Sequence, residues 1–232
     1  MTRISRQHGF TLVELLVALF AMALLAVLSW QGLDGMSRAQ VQTEARADEV
    51  LTLQTGLAQW GADLDGVMQL PQFSAIDWNG RVLRITRSAT SSAADGMVVV
   101  AWTRRGDAGA GTWLRWQSPP LTTRGQLDEA WLRADTWSQN PGDDERRYEV
   151  AITQLAQWQI FYFRGDAWTN PQSSDTASVQ GLTAAPVQAT AGARTAVIPD
   201  GVRLVLTLPE GQAISGVIQR DWVRPTVGGG KS

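Results

Sequence analysis

The chain has 232 residues, 44% of them hydrophobic, enough for one medium-sized packed domain with additions. Its 20 basic and 22 acidic residues leave a formal charge of −2, which excludes a general electrostatic pull on nucleic acid. Cysteine is absent and histidine occurs once, at His8, so thiol nucleophiles, disulfides and Cys-ligated zinc are excluded, and processing beyond His8 would also remove most hydrolase triads and transition-metal sites.

The first predicted element is a helix within "RQHGFTLVELLVALFAMALLAVLSW", Arg6 to Trp30. The 19 residues from Leu15 to Leu33 carry no charge. A helix of that length rises about 28 Å at 1.5 Å per residue, close to the ~30 Å hydrocarbon core of a bilayer. Arg3 and Arg6 precede the run and Asp34 follows it, which orients the N-terminus to the cytoplasm and exports the rest. Glu14 needs a reason, because a carboxylate at bilayer depth costs about 2.5–3.5 kcal/mol on insertion scales and such groups generally have a partner. A cleaved secretory signal has a shorter apolar region ending in a small-residue cleavage site. A plain membrane anchor explains the length but leaves Glu14 unexplained.

Gly9-Phe10-Thr11-Leu12-Val13-Glu14 resembles the class III signal of type IV pilins and type II secretion pseudopilins. The resemblance implies cleavage by prepilin peptidase between Gly9 and Phe10, N-methylation of Phe10, and retention of the apolar helix. It also implies an assembly role for Glu14, paired with the α-amine of a neighbouring subunit. The new amine would stand four residues from Glu14, about 6 Å along a helix axis. Losing Arg3 and Arg6 would leave 20−2=18 basic against 22 acidic residues, a charge of −4.

Beyond the apolar run the helix is expected to continue. Val50, Leu53, Leu57, Trp60 and Leu64 recur at spacings of 3, 4, 3 and 4, a core-facing stripe. Residues 34–46 lack that stripe and are expected to be solvated. Gly56 and Gly61 weaken the helix expectation, since each costs about 1 kcal/mol against Ala.

After residue 66 the period changes to two. Asn79-Gly80, between "SAIDW" and "RVLRITR", predicts a two-residue type I′ hairpin. "GMVVVAWTR" (96–104) and "TWLRWQ" (112–117) flank the Gly-rich "RGDAGAG" and predict a second hairpin. Further strands are expected at 148–152, 155–164, 201–209 and 213–223, with a turn at Pro209-Glu210-Gly211. Residues 170–196 lack a period and are expected to be a long surface loop, and the "GGGKS" end a flexible tail. The sum is an α+β fold, a roll in which a long N-terminal helix packs on antiparallel sheet. The segments are a leader at 1–9, a transmembrane and assembly helix at 10–33, its periplasmic continuation at 34–65, a β-rich domain at 66–224 and a tail at 225–232.

"WQIFYFRGDAWTNP" (158–171) followed by "AVIPDGVRLVLTLPEG" (196–211), with Pro199, Val202, Leu204 and Leu206 in place, resembles the C-terminal half of the J-type minor pseudopilins of type II secretion. That resemblance implies a non-enzymatic inner-membrane subunit with its C-terminal domain in the periplasm, at the tip of a short filament. The implied partners are prepilin peptidase, I-, K- and H-type minor pseudopilins, the G-type major pseudopilin, inner-membrane lipid and secreted cargo, with no cofactor and no nucleic acid. Two alternatives stand beside it: a minor pilin that initiates a type IV pilus, and a membrane-anchored binding domain that never polymerises.

Several motifs look like chemistry and have simpler readings. "GGGKS" lacks the earlier glycine and following helix of a phosphate-binding loop. "DLDG" (63–66) begins like a calcium loop, but Ser74 stands where a bidentate Glu is required, so a polar helix end is expected. "GDDE" (142–145) reads as a solvated turn beside Arg146 and Arg147, with calcium as the alternative. Both Arg-Gly-Asp triplets, 105–107 and 164–166, fall at predicted hairpin ends. No metal site is expected. Of the eleven tryptophans, most are expected in the core or in cross-strand pairs, and a minority on a surface for other subunits or for stacking on sugars or bases.

Overall fold

The computed structural model describes residues 10–71, 73–89, 96–107, 109–172 and 198–225. The leader, most of the expected 170–196 loop and the "GGGKS" tail lie outside the described residues. The chain divides into two compact units, Met1–Asp48 and Glu49–Ser232, with helix α1 (Leu12–Asp65) continuous through the boundary.

In the first unit every described residue is exposed. From Leu15 to Leu33 α1 is apolar on all its faces, the pattern of a helix meant for an apolar surround. Further on the surface becomes polar, and i,i+4 pairs support it: Asp34 with Arg38 at 2.6 Å, and Gln40 Nε2 donating to Glu44 Oε1 at 2.9 Å.

In the second unit the end of α1 buries Leu53, Gly56, Trp60, Asp63 and Leu64, with Val50 and Leu57 half-buried beside them. The expected stripe is therefore present, and Gly56 belongs to it. A first sheet follows in chain order, β1 (Ile76–Trp78), β2 (Val82–Ser88), β3 (Met97–Asp107), β4 (Ala110–Gln117) and β5 (Glu149–Leu155), antiparallel throughout. Between β4 and β5 come helix α2 (Arg124–Gln139) and the single turn α3 (Asp143–Arg146). A second antiparallel sheet is built from β6 (Gln157–Arg164), β7 (Ala167–Thr169), β8 (Gly201–Leu208) and β9 (Gly216–Val223), in the order β7-β6-β8-β9.

The period of two in β3 explains the layers. Val98, Val100 and Trp102 enter one core with Trp60 and Leu64 of α1 and with Val202, Leu204, Leu206 and Leu208 of β8. Val99 and Ala101 point the other way, into a second core with Leu127, Ala130, Ala134 and Trp137 of α2. The first sheet is thus covered on both faces, by α2 on one and by the end of α1 and the second sheet on the other. Tryptophans fill both cores. Trp102 and Trp113 pack at 4.6 Å between ring centroids, Trp116 stacks on Trp137 at 6.3 Å, and Trp78 meets Trp158 edge-on at 4.7 Å.

The α+β expectation holds, with a long N-terminal helix and antiparallel sheet, and five details differ. Helix α2 was not expected. Its signals are local: Thr123 and Gln126 form a capping box, and Leu127, Ala130, Ala134 and Trp137 recur at spacings of 3, 4 and 3. The first hairpin exists, but its turn is not type I′, since among the described residues Asp166 alone of the non-glycines has positive φ. Asn79 instead closes the turn with its side chain, Oδ1 accepting from Arg81 N at 3.0 Å and Val82 N at 2.9 Å, while Gly80 takes φ 90°. The Gly-rich segment 105–111 is mostly strand, because β3 and β4 pair as far as Asp107 with Ala110. Leu155 closes β5 rather than opening β6. The last strand begins at Gly216, not at residue 213.

Candidate functional site at the start of the helix

Of the three residues singled out for processing and assembly, Phe10 and Glu14 are described, and they fall just before and in the first turn of α1. Gly9 lies outside the described residues. Phe10 is 84% exposed and precedes the helix. Glu14 sits in the first turn, where a negative charge complements the partial positive charge of the helix N-terminus.

Thr11 gives this turn its geometry, and sequence reasoning had not singled it out. Glu14 N donates to Thr11 Oγ1 at 3.3 Å, while Thr11 N and Thr11 Oγ1 both donate to Glu14 Oε2 at 3.1 Å. That reciprocal arrangement is a capping box, and the spacing Thr-x-x-Glu before an apolar run was its available signal. The carboxylate therefore accepts hydrogen bonds at the point where backbone N–H groups have no helical acceptor. A cut before Phe10 would place a new amine one residue from the N–H that Glu14 already accepts.

The other motifs are absorbed by the fold. Asp63, at the head of "DLDG", is 0% exposed and ionically paired. Its Oδ2 accepts from Arg115 Nε at 2.8 Å and Trp102 Nε1 at 2.9 Å, and its Oδ1 from Arg115 Nη2 at 2.8 Å and Gln59 Nε2 at 2.9 Å. Arg87 Nη1 stands 3.2 Å from the same Oδ1. A polar helix end was the expectation; the structure adds that its carboxylate is buried and pins α1 to β2, β3 and β4. Asp65 accepts from Trp222 Nε1 at 2.8 Å, tying the same turn to β9. In "GDDE" Glu145 folds back to accept from Gly142 N at 3.0 Å and caps α3. Among the described residues no three His, Asp or Glu side chains gather as a metal site. Arg164-Gly165-Asp166 forms the tight β6–β7 turn, with positive φ at Gly165 and Asp166, whereas Arg105-Gly106-Asp107 lies within β3. Arg105 is held there by both oxygens of Glu149, at 2.9 and 2.8 Å.

Comparison with known proteins bears on the N-terminal segment. Residues 4–30 match the model of the prokaryotic N-terminal methylation motif. No curated protein matches the chain. The helix α1 contains one stretch long and apolar enough to cross a membrane, none of it buried within the protein. The chain therefore carries the N-terminal methylation signal of type IV pilins and pseudopilins, the substrates of prepilin peptidase, ahead of a pilin-like α+β architecture.

Proposed function

We propose that the protein is a structural subunit rather than an enzyme, a minor pseudopilin of a type II secretion system, J-type in character. Prepilin peptidase cuts it between Gly9 and Phe10 and methylates Phe10. Residues 10–33 lie in the inner membrane, and the domain from residue 66 to 224 is periplasmic. The subunit joins I-, K- and H-type minor pseudopilins and the G-type major pseudopilin at the tip of the filament, where secreted cargo is in reach. The observation that carries this is Glu14, one carboxylate in the first turn of a helix that bears no other charge as far as Leu33, inside the matched methylation motif. Burying such a charge in lipid is unfavourable unless a cation joins it. The amine released at Phe10 is that cation, and it is supplied by the neighbouring subunit. The placement of Val202, Leu204 and Leu206 on the inward face of β8, between aromatic β6 and β9, supports the J-type assignment.

Mass spectrometry of the protein extracted from its host membrane tests the core of this reading. The expected mature chain begins at Phe10 and carries one added methyl group. A chain that retains Met1, or begins elsewhere, overturns it. Co-purification partners then separate secretion from piliation: pseudopilins and a secretion ATPase support the J type, and pilus subunits favour the minor-pilin alternative.

A further inference from the structure

A cleft of about 320 Å³ opens between the β1–β2 turn of the first sheet and β6 of the second, and the function proposed above does not use it. Its walls include Trp78, Trp158, Gln159, Phe161, Asn170 and Gln172, and among the described residues none that lines it is ionisable. The volume lies at the small end of ligand sites, which run from about 300 to 1,000 Å³. From this lining we infer that the cleft binds a neutral sugar residue.

The chemistry of the walls selects that class. Among the described residues the lining offers a charged ligand no counter-charge to offset its desolvation. A nucleic-acid strand is disfavoured for the same reason, since its phosphates call for Lys or Arg along the groove. Trp158 is half-buried and braced by the nearly perpendicular ring of buried Trp78, at 4.7 Å between centroids, so one supported indole supplies the apolar part of the wall. Gln159, Asn170 and Gln172 are exposed around it. Each amide both donates and accepts, as does each hydroxyl of a sugar, while the C–H face of a pyranose ring suits an aromatic wall.

The turn residues hold this arrangement. Asn170 Oδ1 accepts from Gln172 N at 3.1 Å, which folds the chain back after β7. The Gln172 amide then lies across Gly80, where an added Cβ would stand 2.5 Å from Gln172 Nε2. Gly80 thus serves twice, by its φ of 90° in the hairpin turn and by leaving room for the amide at the cleft.

Two sources offer neutral sugar, soluble oligosaccharide and cell-wall glycan, and the test has an arm for each. Full-length protein in a sugar-free detergent is titrated by calorimetry with maltohexaose and chitohexaose, and sedimented with purified peptidoglycan sacculi. The expected result is saturable binding in at least one arm, weakened about tenfold (about 1.4 kcal/mol) by Gln159→Ala with Gln172→Ala. Both side chains are exposed, so thermal unfolding should be unchanged in that variant. Trp158→Phe, which keeps an aromatic ring in the wall, should weaken binding less. Binding to sacculi assigns the ligand to wall glycan, and binding to the soluble probes alone assigns it to free oligosaccharide. No saturable binding in either arm, binding indifferent to the double substitution, or a preference for acidic sugars overturns the inference. None of these outcomes depends on cleavage before Phe10.

Discussion

Helix α1 carries one carboxylate in its first turn and another near its last, and the two are held by opposite means. Glu14 is exposed, and its bonded partner is Thr11, three residues away. Asp63 is fully buried, and its partners come from 39 and 52 positions along the chain at Trp102 and Arg115, with Arg87 beside them. Between these two points the helix changes its surroundings. Its first part is apolar on every face and buries nothing within the chain, whereas the part after Glu49 turns one stripe into a protein core. The difference teaches that an acid's neighbours decide its use. A carboxylate with local caps alone can still receive a cation from outside, while one already gripped by two guanidinium groups is committed to the fold.

The comparison can be broken hardest at its first end. If residues 4–30 act as a processing signal, Gly9→Ala should still be cut, because a small residue fits the peptidase cleft, and Gly9→Leu should abolish cleavage. Electrophoretic mobility of the membrane-bound protein reads this directly, and equal processing of both variants would contradict it.

At the second end, Asp63→Ala takes the carboxylate away from Arg87 and Arg115, two cations side by side in the interior, with Gln117 Oε1 left as an acceptor for Arg115 at 2.8 Å. Stability should fall by about 3–5 kcal/mol, measured by urea unfolding followed through tryptophan fluorescence. Asp63→Asn keeps an acceptor for Trp102 and should cost less, and a loss of under 1 kcal/mol on Asp63→Ala would show that the network is not what joins α1 to the first sheet.

A smaller effect is expected where α1 crosses β5. Trp113 pairs with Thr153 and Leu114 with Ala151, so Ile152 is the extra residue of a β-bulge. It is aimed at Gly56, where a Cβ would stand 2.4 Å from Ile152 Cγ2. Gly56→Ala should therefore destabilise by about 1–3 kcal/mol despite alanine's better helix propensity. Combining it with Ile152→Ala should cost less than the sum of the two single changes, and additivity would rule out the contact.

The smallest effect belongs to the exposed side of the second sheet. Arg203 donates to both oxygens of Asp221, at 2.8 and 2.7 Å, and lies 4.1 Å over the Trp168 ring. Those hydrogen bonds hold the Asp221 carboxyl below the usual carboxylate range and raise the Arg203 guanidinium. A carboxylate whose folded pKa is depressed contributes stability above its unfolded value and loses it as pH falls through the folded one. The contribution should be complete above about pH 4 and fade below it. Because the pair is partly solvent-exposed, it should amount to under about 1 kcal/mol. Asp221→Asn should flatten that acid limb of the stability profile, and an unchanged limb would assign it to other carboxylates.

What the amino-acid order determined by itself is whatever depends on near neighbours. The charge-free run, the Gly9-Phe10…Glu14 signal, the stripe from Val50 to Leu64 and the alternation of β3 all follow from spacings of a few residues, because helix and strand periods are local. The capping boxes at Thr11 and Thr123 were equally local and could have been read there too. Tertiary structure alone decided that Asp63 is buried and that Gly56 is a contact. It also decided that Trp158, Gln159 and Gln172 share one cleft with Trp78. Each of these depends on groups brought together by packing the sheets, and a carboxylate or a glycine has the same local signature whether its distant partners are arginines or water.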